Sequence, residues 1–199
     1  MPKPLNVYLV LVFLLIFSAG LSNYLILKND NYVTGADVSN HLMFSIEFFY
    51  GALDVMHSTT TSLWAKIANM VRLLGQSLYG DVYWPNGLNF TASIFYFILG
   101  KSLLSAKLSL LPYLFILLFS TYLIGKLVFS NFVGCLATFI LFMYPVIFTS
   151  SRQFQLDFPL TAMVALSMLF LLKSDNFRNR KYSFLLGISG KQEINLPIA

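Results

Sequence analysis

The first uncharged segment of the chain sets the strongest limit on its fold. Between Lys3 and Lys28 lie 24 residues without a charge, PLNVYLVLVFLLIFSAGLSNYLIL. This length exceeds the apolar region of a typical secretory signal peptide, and it reaches the roughly 20 residues that a helix needs to cross a bilayer. We therefore interpret residues 5–27 as an uncleaved signal anchor and as the first of several membrane spans.

The composition also favours a membrane protein. Of the 199 residues, 57% are hydrophobic and only 11% are charged, whereas about a quarter of the residues in a soluble domain are charged. We attribute the net charge of +5 to cytoplasmic loops and not to a nucleic-acid partner.

The single cysteine, Cys135, excludes an internal disulfide and a Cys-based metal site. We expect no cofactor.

Further uncharged runs predict three more spans, at about residues 108–125, 128–149 and 158–173. A fifth run starts at Tyr182 and fails after nine residues, too few to cross a hydrocarbon core about 30 Å thick. The predicted fold is an all-α integral membrane protein with four transmembrane helices and an incomplete fifth. We interpret residues 191–199 as an atypical tail of a truncated or frameshifted chain.

Basic residues set the expected orientation. Arg178, Arg180 and Lys181 form the densest basic cluster, which the positive-inside rule places in the cytoplasm together with the N-terminus. Residues 28–107 then form a large outer loop. We expect a multi-pass protein of the inner or cell membrane of a bacterium.

The outer loop is too long for a connector and too apolar for a disordered segment. Apolar residues recur at helical spacing within residues 41–56 and 63–80, which predicts amphipathic helices lying in the membrane interface. Residues 88–100 are too short to span the bilayer, so they form either another interfacial helix or a short re-entrant helix.

Two ionisable residues follow the first span in the segment TGADVSNHLMF. Asp37 and His41 are four residues apart and would share one face of a helix. Asp37 is either a helix-start or solvated residue, which is common before an apolar periodic run, or a catalytic base. Asp54 and His57 add further metal-ligand types, but the spacing matches no metal motif, and we expect no metal site.

A second ionisable pair, Arg152 and Asp157, lies in SRQFQLDFP at the predicted outer end of two spans. One interpretation is that Arg152 binds anionic headgroups and that Asp157 caps the fourth span. The other is that both residues belong to a functional site at headgroup depth.

The order of these elements resembles a known family. One span precedes an outer loop that has an Asp near its start. The loop ends in the segment YWPNGLNFTASIFYFILGKS, and two spans then lead to a YP…SR…D-x-P segment. After the next span, a basic turn precedes the sequence Leu-Leu-Gly-Ile. Over roughly residues 5–190 the chain resembles the first part of a GT-C-type membrane glycosyltransferase, and it is similar to protein O-mannosyltransferases and the aminoarabinose lipid A transferase.

The resemblance implies a function for specific residues. Asp37 matches the acid that acts as general base on the acceptor hydroxyl while a sugar leaves a polyprenyl phosphate with inversion. Asp157 matches a second outer acid that shapes the same site. We assign Arg152 to the donor phosphate by position and chemistry, and we include His41 among the substrate-binding candidates. The expected partners are a lipid-linked sugar donor and membrane lipids.

The chain departs from the family pattern in three respects. Val38 stands where relatives often have a second acid, and the turn at residues 84–87 lacks the nearby lysine that relatives often use for phosphate. The resemblance also implies many more spans, so we expect a truncated fragment that carries the base but lacks much of the donor site, either active or inactive alone. The alternative is a non-enzymatic transporter subunit or assembly factor. A transporter would place polar or charged residues near mid-bilayer, whereas none of the four predicted spans has a charge at its centre.

Overall fold

The computed structural model describes residues 7–30, 36–59, 62–75 and 87–190. These residues fold into helices without any strand, as the sequence predicts. The predicted tail at 191–199 and residues 84–86 of the outer turn lie outside them. The helices are α1 (Val7–Leu27), α2 (Ala36–His57), α3 (Leu63–Gly75), α4 (Gly87–Leu99), α5 (Leu103–Leu108), α6 (Leu111–Val128), α7 (Asn131–Met143), α8 (Pro145–Ser150), α9 (Asp157–Lys173) and α10 (Arg180–Gly190).

Two helical segments in the described chain are long and apolar enough to cross a membrane. They are Val7–Leu27, which is α1, and Leu103–Val128, which joins α5 to α6. The apolar helices α4 and α7 have 13 residues each, or about 20 Å at a rise of 1.5 Å per residue. The number of spans beyond these two stays a prediction.

The segment predicted as a third span, residues 128–149, is two helices and not one. Helix α7 ends at Met143, Tyr144 is extended (φ −70°, ψ 122°), and Pro145 begins α8. The break follows from the chemistry of proline, which has no backbone N–H and disfavours helical geometry at the residue before it. The chain changes direction here and carries Arg152 to the end of α1.

Helix α6 is the centre of the packed structure and contacts α1, α7 and α9. Its fully buried side chains include Leu114, Leu118 and Tyr122, and the same core cluster takes in residues of α1, α4 and α9. Many large apolar residues of α1 and α7 face outward, as expected for helices that meet hydrocarbon. The core therefore fixes the ends of α1 and α9 relative to each other.

The outer-loop helices are packed onto this core and onto one another. Ser45 of α2 and Tyr96 of α4 share a hydrogen bond of 2.9 Å between their hydroxyl groups. Thr91 of α4 shares another, of 2.8 Å, with Tyr113 of α6. These two buried or half-buried contacts fix the position of α2, whose first turn carries Asp37.

Helices α6 and α7 cross at two glycines. A Cβ atom on Gly134 would lie 2.5 Å from the carbonyl oxygen of Tyr122, and one on Gly125 would lie 2.7 Å from Gly134 Cα. We expect Gly134→Ala to lower the free energy of unfolding by about 1–3 kcal/mol, because the obstructing atoms are backbone. The measurement is the thermal loss of the helical circular-dichroism signal in detergent micelles.

Gly187→Ala on α10 is the matched control. A Cβ atom there meets no atom within 4 Å, and alanine is favoured over glycine in a helix by about 0.5–1 kcal/mol. We expect this variant to melt at the wild-type temperature or above it. If Gly134→Ala had the same melting temperature as Gly187→Ala, that result would contradict the close crossing of α6 and α7.

Candidate functional site

Asp37 and His41 lie on the first two turns of α2. Asp37 is exposed and is the second residue of the helix, so it lies within the first turn, where a carboxylate also interacts well with the helix dipole. His41 follows one turn later and is only 6% exposed. The imidazole is therefore packed among the helices and not in water.

The negative charges of both predicted acids act on the imidazole of His41. Burial lowers the pKa of His41, while the charges of Asp37 and Asp157 act in the opposite direction. Asp157 begins α9, far away in sequence, yet its charge reaches the same ring. The N-cap of α9 is Leu156, and Asp157 lies in the first turn. The fold therefore brings Asp157 within electrostatic range of the segment that carries Asp37 and His41.

A pH dependence follows from the buried imidazole. The folded pKa of His41 lies below the value of about 6.5 expected for the unfolded chain, so the unfolded state binds more protons at low pH. The stability that neutral His41 contributes is present above about pH 6.5 and is lost as the pH falls through the lower folded pKa. We expect His41→Gln to flatten this part of the melting temperature–pH profile.

The matched control for that measurement is His57→Gln, which removes an exposed imidazole from the other end of the same helix. The profile of this variant should keep the wild-type loss of stability toward acid pH. If His41→Gln lost stability toward acid pH as the wild type does, the buried ring would not be the cause of that loss.

Arg152 is held in place by the end of α1. Its Nε donates to Asn23 Oδ1 at 2.8 Å, Nη2 donates to Ser22 Oγ at 3.4 Å, and the guanidinium lies 3.4 Å from the centroid of the Phe148 ring. Asn23 Nδ2 in turn donates to Ser151 Oγ at 3.0 Å. Burial lowers the pKa of Arg152, but a guanidinium stays charged at neutral pH.

A cavity of about 190 Å³ opens beside Arg152 and contains a second cation. Lys107 and Asp30 both line it and form an ion pair of 2.8 Å, and the lysine side chain is only 3% exposed. Two cations and one carboxylate give these three side chains a net positive charge, which favours an anion. The volume is below the roughly 300–1,000 Å³ of a typical small-molecule site, so it suits a group such as phosphate and not a whole sugar.

The cavity adjoins the helix that carries Asp37. Val38, the next residue, is fully buried and lines the cavity together with Thr149 and Arg152. Asp37 does not itself line the cavity, but it lies one residue before Val38 on the same helix. A residue that can accept a proton thus neighbours, along α2, a residue of a cationic cavity that can hold an anionic group. An acid–base reaction next to an anionic leaving group is the chemistry that this arrangement supports.

Sequence reasoning did not identify Lys107, Asp30 or Asn23 as parts of this site. In the sequence, Lys107 marks only the boundary between the outer loop and an apolar run. Asp30 is only one residue of that loop. One signal was present: Asn23 is an uncommon polar residue inside the uncharged first segment. Polar groups at such positions require a partner, and here the partners are Arg152 and Ser151.

Comparison with known families gives an independent result. Residues 85–190, more than half of the chain, match the family described as dolichyl-phosphate-mannose-protein mannosyltransferase. The matched region contains Lys107, Arg152 and Asp157, whereas Asp37 and His41 precede it. Comparisons with curated proteins and with solved structures gave no match. The resemblance seen in the sequence is thereby confirmed: the chain belongs to the dolichyl-phosphate-mannose-protein mannosyltransferase family of GT-C-type glycosyltransferases.

Proposed function

We propose that this protein transfers a sugar from a polyprenyl-phosphate-linked donor to an acceptor hydroxyl on the extracytoplasmic face of the membrane. The observation that carries the proposal is that the exposed Asp37 directly precedes Val38, which lines the cavity of Arg152 and Lys107. Membership of a family that uses lipid-linked sugar donors supports the same reaction.

Asp37 is the general base in this proposal. Its carboxylate accepts the proton of the acceptor hydroxyl as the oxygen attacks the anomeric carbon. The bond between that carbon and the phosphate oxygen breaks in the same displacement, and the configuration inverts. Exposure of Asp37 suits this function because an acceptor has to reach the carboxylate from outside the packed helices.

Arg152 and Lys107 bind the donor phosphate. Negative charge grows on the phosphate oxygen as the sugar leaves, and preorganised cations favour that charge without reorganising during the reaction. The bonds from Arg152 to Asn23 and Ser22 hold the guanidinium at a fixed position. The ion pair with Asp30 holds Lys107 in the same way.

Asp157 and His41 complete the site. We assign Asp157 to the shaping of the site around the base and the incoming substrate. His41 is a buried ring on which the charges of Asp37 and Asp157 both act, and we assign it to substrate positioning.

The membrane arrangement in this proposal has four spans and an incomplete fifth, with the N-terminus and the turn before α10 in the cytoplasm. The outer loop then places α2 and α4 at headgroup depth, where the sugar phosphate of a lipid-linked donor lies. Family membership favours an enzyme over the alternative of a non-enzymatic transporter subunit or assembly factor.

The experiment offers the reconstituted protein a peptide with serine and threonine hydroxyls as acceptor, together with one of two donors in separate vesicle preparations. One is dolichyl phosphate mannose labelled in the sugar, and the other is the nucleotide-linked form of the same sugar. We expect release of dolichyl phosphate from the first donor and no consumption of the second. Consumption of the nucleotide donor alone would contradict the proposal.

A further inference from the structure

A second cavity, apart from the one beside Arg152, lies between α2 and α4 and is closed on one side by α3. Its volume is about 260 Å³, slightly below the range of ordinary ligand pockets, so it accepts a slender group. The lining that the argument uses consists of Phe48, Ala52, Met56, Met70, Ile94 and Phe97.

The lining excludes a polar ligand. Among the described residues around this cavity, Ser93 is the only polar one, and its hydroxyl donates to the Asn89 carbonyl at 2.8 Å. An apolar cavity that offers no hydrogen-bonding group favours hydrocarbon.

One lysine stands next to this apolar lining. Lys66 Nζ donates to the carbonyl of Met56, a lining residue, at 2.7 Å. Lys101 Nζ instead donates to Tyr50 Oη at 2.6 Å, and at 100° per residue Tyr50 lies on the side of α2 away from Phe48. The structure gives Lys66 no ion pair within the described chain. An ammonium group beside a hydrocarbon cavity complements an anionic headgroup attached to an apolar chain.

The acids of α2 do not cancel this charge at the cavity. At 100° per residue, Phe48, Ala52 and Met56 share one face of the helix, and Glu47 and Asp54 lie on the opposite face. The charge near the cavity is therefore positive.

Helix α3 provides a reason for lipid to be nearby. It exposes an apolar stripe, and its only charged residues, Lys66 and Arg72, are basic. A basic helix with an exposed apolar face and a Trp lies in the headgroup region of a bilayer. The exposed residues are Leu63, Trp64, Ile67 and Val71.

We infer that the cavity between α2 and α4 binds one acyl chain of an anionic phospholipid, whose headgroup is held by Lys66. Phe48, the nearest lining residue on α2, lies eleven residues from Asp37, or about 16 Å along the helix. The cavity also has a cation of its own. The lipid is therefore distinct from the sugar donor, and its binding does not depend on sugar transfer.

The test uses the full chain reconstituted in phosphatidylcholine vesicles that contain phosphatidylglycerol with a photoactivatable acyl chain. After illumination, mass spectrometry locates the labelled peptides. We expect labelling concentrated on residues 48–56 and 93–98. Labelling spread evenly over the exposed apolar helices would overturn the proposal.

Two variants that fill the cavity sharpen the test. Ala52→Phe should reduce labelling to background. Ile94→Trp should do the same at a residue that is 43% exposed, where a larger ring is accommodated without disturbing the fold. Ala68→Phe, on the exposed side of α3, is the matched control and should keep full labelling. Equal labelling in all three variants would refute the proposed cavity.

The same vesicles test headgroup selectivity and distinguish a phospholipid acyl chain from the isoprenyl tail of the donor. Lys66→Gln should lower the preference for phosphatidylglycerol over phosphatidylcholine by about fivefold, the value of one basic residue near an anionic surface. Lys101→Gln removes a lysine from the side of α2 away from the cavity, so it is the matched control and should keep the wild-type preference. An unchanged preference in Lys66→Gln would contradict the part proposed for this lysine. A photoactivatable isoprenyl phosphate that labelled the cavity when phosphatidylglycerol did not would assign the cavity to the donor tail and overturn the proposal.

Discussion

Asp37→Asn is expected to abolish sugar transfer and to leave membrane insertion intact. The amide has nearly the shape of the carboxylate but cannot accept the acceptor's proton, and general-base catalysis contributes about 10²- to 10⁴-fold to a rate. Asp37 is exposed on the first turn of α2, so the substitution removes no buried contact. The measurement is release of polyprenyl phosphate in reconstituted vesicles that transfer sugar.

The matched control is Asp54→Asn, which removes an exposed carboxylate from the same helix. It changes the net charge equally and should transfer at the wild-type rate. A rate of sugar transfer near the wild-type value in Asp37→Asn would contradict the assignment of Asp37 as the base.

Arg152→Gln should lower transfer by about 10²- to 10³-fold, the usual loss when one preorganised donor to a developing negative charge is removed. The variant also removes a bond of 2.8 Å to the buried Asn23, so we expect a loss of stability of about 1–3 kcal/mol. Arg152→Lys keeps the charge but not the fork geometry and should retain part of the activity. Rates are measured together with the melting temperature, at a temperature where every variant is folded.

Arg178→Gln controls for the loss of one positive charge, because Arg178 is exposed in the turn before α10. We expect its transfer rate and its KM for the donor to match the wild type. If Arg152→Gln remained folded and kept both values as well, the cation at this cavity would have no part in donor binding.

Much of the architecture could be predicted because local patterns encode it. Uncharged runs indicate α1 and α6, and helical spacing indicates α2 and α3. The break at Tyr144 and Pro145 was missed because hydropathy alone treats the run as continuous. The proline itself was the available signal.

The site was only partly predictable because its contacts join distant segments. Asp37, Asp157 and Arg152 could be selected from their position and chemistry, but the burial of His41 depends on how α2 packs in the folded chain. Lys107 enters the site through its ion pair with Asp30, 77 residues away. No local pattern encodes a pairing of that range.

Azide rescue of Asp37→Ala tests the central claim most directly. Azide is a small nucleophile with no proton to lose, so its attack on the donor's anomeric carbon does not require a base. The account predicts that added azide restores release of polyprenyl phosphate from this variant and yields a glycosyl azide of inverted configuration. A folded Asp37→Ala protein that formed no glycosyl azide, or one of retained configuration, would contradict a direct displacement with Asp37 as the base.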